Sequence, residues 1–109
     1  VDISLGAGND DATLGDAGQG YAKISGHDDN TIKAGDNWDE VQLGSGDDKV
    51  QIGDADSGYN AIDVGSGDNT VIAGDGWDKI HSNSGTDNII AGDGASDVQL
   101  GSGDDTLNI

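Results

Sequence analysis

A nine-residue period runs through this chain and leaves few folds open to it. Cutting before each turn residue gives eleven units: GAGNDDATL (from Gly6), GDAGQGYAKIS (Gly15), GHDDNTIKA (Gly26), GDNWDEVQL (Gly35), GSGDDKVQI (Gly44), GDADSGYNAIDV (Gly53), GSGDNTVIA (Gly65), GDGWDKIHS (Gly74), NSGTDNIIA (Asn83), GDGASDVQL (Gly92) and GSGDDTLNI (Gly101). Nine of them have nine residues, and those from Gly15 and Gly53 are longer by two and three. Val1 to Leu5 reads as the end of a twelfth unit. Two unit types alternate. One is typified by Gly-Ser-Gly-Asp; the other carries Asp directly after its first Gly, at Asp16, Asp36, Asp54, Asp75 and Asp93. The structural repeat is therefore a pair of units, about 18 residues. A repeat on this scale marks a stacked, quasi-one-dimensional architecture.

Each unit opens with five or six residues drawn mainly from Gly, Asp, Asn and Ser, which is turn chemistry. It closes with three or four that alternate apolar and polar, as in Val41-Gln42-Leu43 and Val50-Gln51-Ile52. That alternation predicts a short strand with one buried face. The inward set is Ala12, Leu14, Ile32, Ala34, Val41, Leu43, Val50, Ile52, Ile62, Val64, Val71, Ala73, Ile80, Ile89, Ala91, Val98, Leu100, Leu107 and Ile109. Glu40, Gln42, Lys49, Gln51, Lys79, His81, Gln99 and Asn108 face outward. A three-residue strand cannot stand alone, but turn stacked on turn and strand on strand gives each coil a pairing partner. The expectation is all-β: a parallel β-roll, or β-solenoid, of two short strands and two turns per coil. Residues 1–109 form one such unit, with uncapped ends, as a segment of a longer protein or a fibre subunit.

Charge sets the next constraint. Asp and Glu total 22 against four lysines, for a formal charge of −18, and Glu40 is the one glutamate. Duplex nucleic acid would be repelled, no apolar run approaches the roughly 20 residues of a membrane span, and the absence of Cys excludes disulfides and thiolate metal sites. Such a composition resembles that of disordered chains, yet the choice of Asp over Glu favours ordered turns, because Asp bonds its local backbone and tolerates left-handed conformations. Stacked coils lie about 4.8 Å apart. One column of turn residues then holds Asp10, Asn30, Asp48, Asn69, Asp87 and Asp105, and the other holds Asp39, Asn60, Asp78 and Ser96. Adjacent carboxylates at that spacing repel by about 0.9 kcal/mol even in bulk water. A cation would remove the repulsion, and carboxylate and carbonyl oxygens favour Ca²⁺ over Zn²⁺.

The units resemble the calcium-binding nonapeptide of the repeats-in-toxin (RTX) proteins, G-G-x-G-x-D-x-U-x with U apolar. Leu43 to Gln51 (LGSGDDKVQ), Leu100 to Asn108 (LGSGDDTLN) and Leu5 to Thr13 (LGAGNDDAT) fit, with Leu in place of the first Gly. The resemblance covers essentially the whole chain. It implies a right-handed roll with several Ca²⁺ ions between successive turns. The side-chain ligands it implies are Asp10, Asp39, Asp48, Asp78, Asp87 and Asp105, with Asn30, Asn60 and Asn69 as neutral, weaker substitutes. Ser96 departs from the pattern, and the unit from Gly15 receives no ligand because its register is ambiguous.

Tyr21, Trp38, Tyr59 and Trp77 are all the aromatic residues present, and each lies in a Gly-Asp unit. They are expected to form a ladder on one edge, either closing the turns or contacting a glycan or another copy. No nucleophile motif appears, and His27 and His81 lie in units of different type, so no catalytic residues are expected. The reading that follows is a secreted, calcium-binding structural module of a bacterial surface adhesin, surface layer or filament, folding on Ca²⁺ and self-associating through its ends or its aromatic edge. A carbohydrate-binding module and an ice-binding module are the alternatives. Export without a folded core would suit the family, because the acidic columns hold the chain open where Ca²⁺ is scarce.

Overall fold

The computed structural model describes residues 1–15, 21–36, 38–55, 59–94 and 96–109. The described residues form twelve short strands and no helix: β1 (Asp2–Ser4), β2 (Asp11–Thr13), β3 (Tyr21–Gly26), β4 (Thr31–Ala34), β5 (Trp38–Leu43), β6 (Lys49–Ile52), β7 (Asn60–Gly65), β8 (Thr70–Ile72), β9 (Asp78–Ser82), β10 (Asn88–Ile90), β11 (Ser96–Gln99) and β12 (Thr106–Asn108). Odd strands pair in the order β1-β3-β5-β7-β9-β11, and even strands in the order β2-β4-β6-β8-β10-β12. Every pairing is parallel. The chain thus alternates between two facing sheets in coils of about 18 residues, a β-solenoid of about five turns.

The two unit types map onto the two sheets. Gly-Asp units supply the odd strands and the others the even strands. Between the sheets, Ile24, Val41, Ile62 and Ile80 stack on one side and Ile32, Val50, Val71 and Ile89 on the other, each no more than 2% exposed. The pleat buries alternate residues, so each strand gives the core only one or two apolar side chains, and stacking joins them into one cluster. Most of the expected inward set is buried, and Ala12, Leu14, Val98 and Leu100 pack partly against it. Leu107 and Ile109 remain 41% and 70% exposed because β12 has a neighbouring strand on one side only. Ala22, Ile24 and Ala55 are core residues that the repeat alignment did not reach, since the long units blur it.

Turns bring the coils closest. Gly46, Gly67, Gly85 and Gly103 take φ values of +121° to +139°. A Cβ at Gly67 or Gly85 would run into the main-chain carbonyl of the glycine one coil before. In the first full coil this column is held by Asp28, the one described non-glycine residue with positive φ (65°). Asp tolerates that region better than most residues.

Candidate functional site: the polar ladders of the turn edges

The residues expected as side-chain ligands form two buried columns, one along each edge. On the even-strand edge the main-chain N–H of Asn30 donates to Asp48 Oδ1 (2.8 Å), that of Asp48 to Asn69 Oδ1 (2.8 Å), that of Asn69 to Asp87 Oδ1 (3.0 Å) and that of Asp87 to Asp105 Oδ1 (3.0 Å). On the other edge the N–H of Asp39 donates to Asn60 Oδ1 (3.1 Å), and the Asn60 amide donates to Asp78 Oδ1 (2.9 Å). The Asp48, Asn60, Asn69, Asp87 and Asp105 side chains therefore cap the backbone of the coil before them, and Asp78 accepts from the Asn60 side chain instead. Asn30, Asp39, Asp48, Asn60, Asn69, Asp78 and Asp87 are all 2% exposed or less. Asp10 and Asp105 are half-buried in the outer coils.

Pairing also settles the unit from Gly15. Tyr21 aligns with Trp38 and Ala22 with Asp39, so this coil places Ala22 where its neighbours place Asp or Asn. Ser96 aligns with Asp78. Asn is more than a weaker ligand here, because it separates the carboxylates. One column reads Ala22, Asp39, Asn60, Asp78, Ser96, with no two carboxylates adjacent. The other alternates Asp and Asn until Asp87 meets Asp105.

Capping satisfies only one oxygen of each acid. Oδ2 of Asp10, Asp39, Asp48, Asp78 and Asp87 is buried without a hydrogen-bond partner. Burial pushes the Asp39 carboxyl up to about 6, against the lowering effect of the Ala22 N–H, with the Asp36 carboxylate adding repulsion. Asp48 is raised by burial, which outweighs hydrogen bonds from Asn30, with Asp29 and Asp47 contributing. Asp78 is raised by burial against the Asn60 hydrogen bond, with Asp54 and Asp75 contributing.

Those repelling neighbours belong to a second pair of ladders that the ligand pattern did not single out. On one edge the Asp47 N–H donates to Asp29 Oδ1, that of Asp68 to Asp47 Oδ1 and that of Thr86 to Asp68 Oδ1, at 2.8–2.9 Å. On the other, the Asp54, Asp75 and Asp93 N–H groups donate to Asp36, Asp54 and Asp75 Oδ1 at 2.7–3.0 Å. These outer rows run opposite to the inner ones, each acid capping the coil after it. The signal of the second row was in the sequence, as the Asp after the first Gly of each Gly-Asp unit, whereas Asp29, Asp47 and Asp68 lie in units of the other type. Asp16 of the Gly-Asp set lies outside the described residues.

Among the described residues no three His, Asp or Glu side chains form a group able to hold a metal ion by themselves. A cation bound at either edge would need turn carbonyls beside one or two carboxylates. The donor set is all hard oxygen, and the orphaned Oδ2 atoms are acceptors without a partner, so the residues present fit a hard divalent ion.

The four aromatic residues form a ladder at the starts of the odd strands. Tyr21 and Trp38 begin β3 and β5 on the outward face, and Tyr59 and Trp77 precede β7 and β9 at the same parity. Ring centroids are 5.5, 5.3 and 5.1 Å apart in succession, so a rail of four rings flanks the outer face of the odd-strand sheet. On the opposite sheet the threonine row Thr31, Thr70, Thr106 is interrupted by Lys49 and Asn88.

Fold and ladders together define the class: a two-sheet parallel β-solenoid whose edges are polar and acidic. No family model matches the chain, and neither a curated protein nor a solved structure matches it.

Proposed function

We propose that this chain is a calcium-stabilised structural module acting outside the cell, of the kind that RTX-like repeats provide in surface adhesins, surface layers or filaments. The observation that carries the reading is the set of buried Asp Oδ2 atoms with no partner, repeated coil after coil. A buried carboxylate must be protonated or charge-compensated, and at neutral pH compensation by a cation is the available route. Calcium tolerates the mixed, loosely arranged oxygen ligands that turns offer. Extracellular calcium modules bind at about 10⁻⁴–10⁻³ M, so folding would await export.

β1 and β2 at one end and β11 and β12 at the other have a neighbouring strand on one side only. A further coil, from the same polypeptide or from a second copy, would pair these strands and cover Leu107. Far-UV circular dichroism during Ca²⁺ and Mg²⁺ titrations, with light scattering alongside, tests both parts. A β signal that appears with Ca²⁺ and is absent in chelator is expected; a chain fully folded in chelator overturns the calcium role. Scattering that rises with Ca²⁺ is the mark of copies stacking.

A further inference from the structure

We propose that the outer face of the odd-strand sheet binds an extended, uncharged glycan lying along the solenoid axis. Three outward rows run side by side on this face. The first is the aromatic rail, whose four residues are 36–44% exposed, with rings tilted 33–67° to one another. The second is Lys23, Glu40, Ala61, Lys79 and Asp97. The third is Ser25, Gln42, Asp63, His81 and Gln99.

The middle row drops to a methyl group at Ala61, and the floor there opens into a depression of about 390 Å³. Glu40 and Lys79 flank Ala61 in neighbouring strands. Gln42, Asp63 and Gln99 line the far wall. His81 Nδ1 approaches Asp63 Oδ1 at 3.5 Å. Tyr59 lies two residues from Ala61, with Trp38 two from Glu40 and Trp77 two from Lys79, so the rail borders the depression without forming its floor.

This combination suits sugar rings. The C–H face of a pyranose packs on aromatic rings. Carboxamides and carboxylates offer the mixed donors and acceptors that hydroxyl groups require. One sugar residue is about as long as one coil rise, so successive residues meet successive rungs.

Charge decides against other occupants. The protein carries −18 overall, and much of the acid sits in the ladders of the two edges. On the sheet face Lys23 and Lys79 partly balance Glu40, Asp63 and Asp97. An anionic polysaccharide would meet long-range repulsion. A cationic partner would be drawn to the edges. A neutral chain meets neither effect.

Both tryptophans belong to the rail, so tryptophan emission reports on this face alone. The test is affinity electrophoresis and emission titration in calcium buffer. Hydroxyethylcellulose, galactomannan and mixed-linkage β-glucan are the probes, and polygalacturonate is the anionic comparison. At least one neutral polysaccharide is expected to retard the protein and shift its emission, with no effect from polygalacturonate. Ala61→Arg fills the depression from the outside, away from core and turns, and is expected to weaken that binding at least tenfold with unchanged circular dichroism. Thr70→Arg on the opposite sheet is expected to leave it unchanged. Trp77→Ala removes one rung and should weaken binding similarly. The proposal is overturned if no neutral probe binds, if Ala61→Arg binds as well as the parent, or if Trp77→Ala alters only sedimentation, which would make the rail a contact between copies.

Discussion

The two turn edges are built from one repeat and yet manage their charge differently. In the inner column that bears Asp39, Asn60 and Asp78, each carboxylate has a neutral column neighbour on either side, ending in Ala22 and Ser96. Along the edge bearing Asp48, Asn69 and Asp87, the alternation fails once, where Asp87 accepts no neutral spacer before Asp105. The first inner column limits repulsion through residue choice, and the second leaves one like-charge contact. Both outer rows stack carboxylate on carboxylate, so a counter-ion has repulsion to relieve on either edge. Asn thus does two opposing things: it weakens a calcium ladder and strengthens a metal-free one.

The largest expected effect sharpens what the edges share. Removing Ca²⁺ with chelator at pH 7.5 should abolish most of the β signal and return it on calcium addition, read by far-UV circular dichroism. Next in size is Gly67→Ala. It places a Cβ at φ +121° against the Gly46 carbonyl, and strain of this kind costs on the order of 1–3 kcal/mol. Thermal melts in saturating Ca²⁺ should show the loss.

Acidity offers a way to break the comparison without metal. Asp39 titrates near 6 in the folded chain against 3.8 as its ordinary value, and Asp48 and Asp78 are shifted in the same direction. Between those values the folded state holds a proton that the unfolded state has released. That stabilisation is therefore complete below about 3.8 and lost as pH rises through about 6. In chelator the β signal should recover as pH falls from 8 to 5; in calcium the melting temperature should stay level or fall over the same range, because protons then compete with the ion.

Asp87→Asn addresses the difference between the edges directly. In chelator it removes a like-charge contact worth about 1–3 kcal/mol and should raise stability, while in calcium it should raise the concentration needed for folding. Asp39→Asn relieves no like-charge contact within its column, but it removes a buried carboxylate that Asp36 also repels, so a gain in chelator is expected there too. Asp105→Asn removes the same contact as Asp87→Asn from the other side, and no gain there would sink the spacer argument. The smallest effect is Ser82→Ala. The Ser82 hydroxyl is buried without a partner, so its removal should be neutral or stabilise by up to about 1 kcal/mol, in melts in saturating Ca²⁺.

Much of this molecule was legible in its residues. The alternation in Val41-Gln42-Leu43 marked a strand and its buried face, and the nine-residue spacing marked the coil, because both are local consequences of the pleat. The Asp and Asn columns were legible too, since equal spacing in sequence becomes stacking in space. Their orientation was not. Whether Asp48 faces a turn cation or caps the Asn30 N–H depends on how neighbouring coils seat on each other, and the spacing is the same in either case.

Register across the long units was likewise decided in three dimensions. Extra residues in the units from Gly15 and Gly53 leave the strands free to slide in any one-dimensional alignment. Backbone pairing removes that freedom: Lys23 must lie between Asp2 and Glu40, so Tyr21 falls beside Trp38 and Ala22 beside Asp39. The aromatic rail, the depression at Ala61 and the opposed directions of inner and outer ladders all follow from that registration. Sequence by itself determined the coil, its period and its two faces, because period and pleat are set within a few residues. Tertiary structure decided which side chains meet between coils, because hydrogen bonds between strands fix a register that no single strand contains.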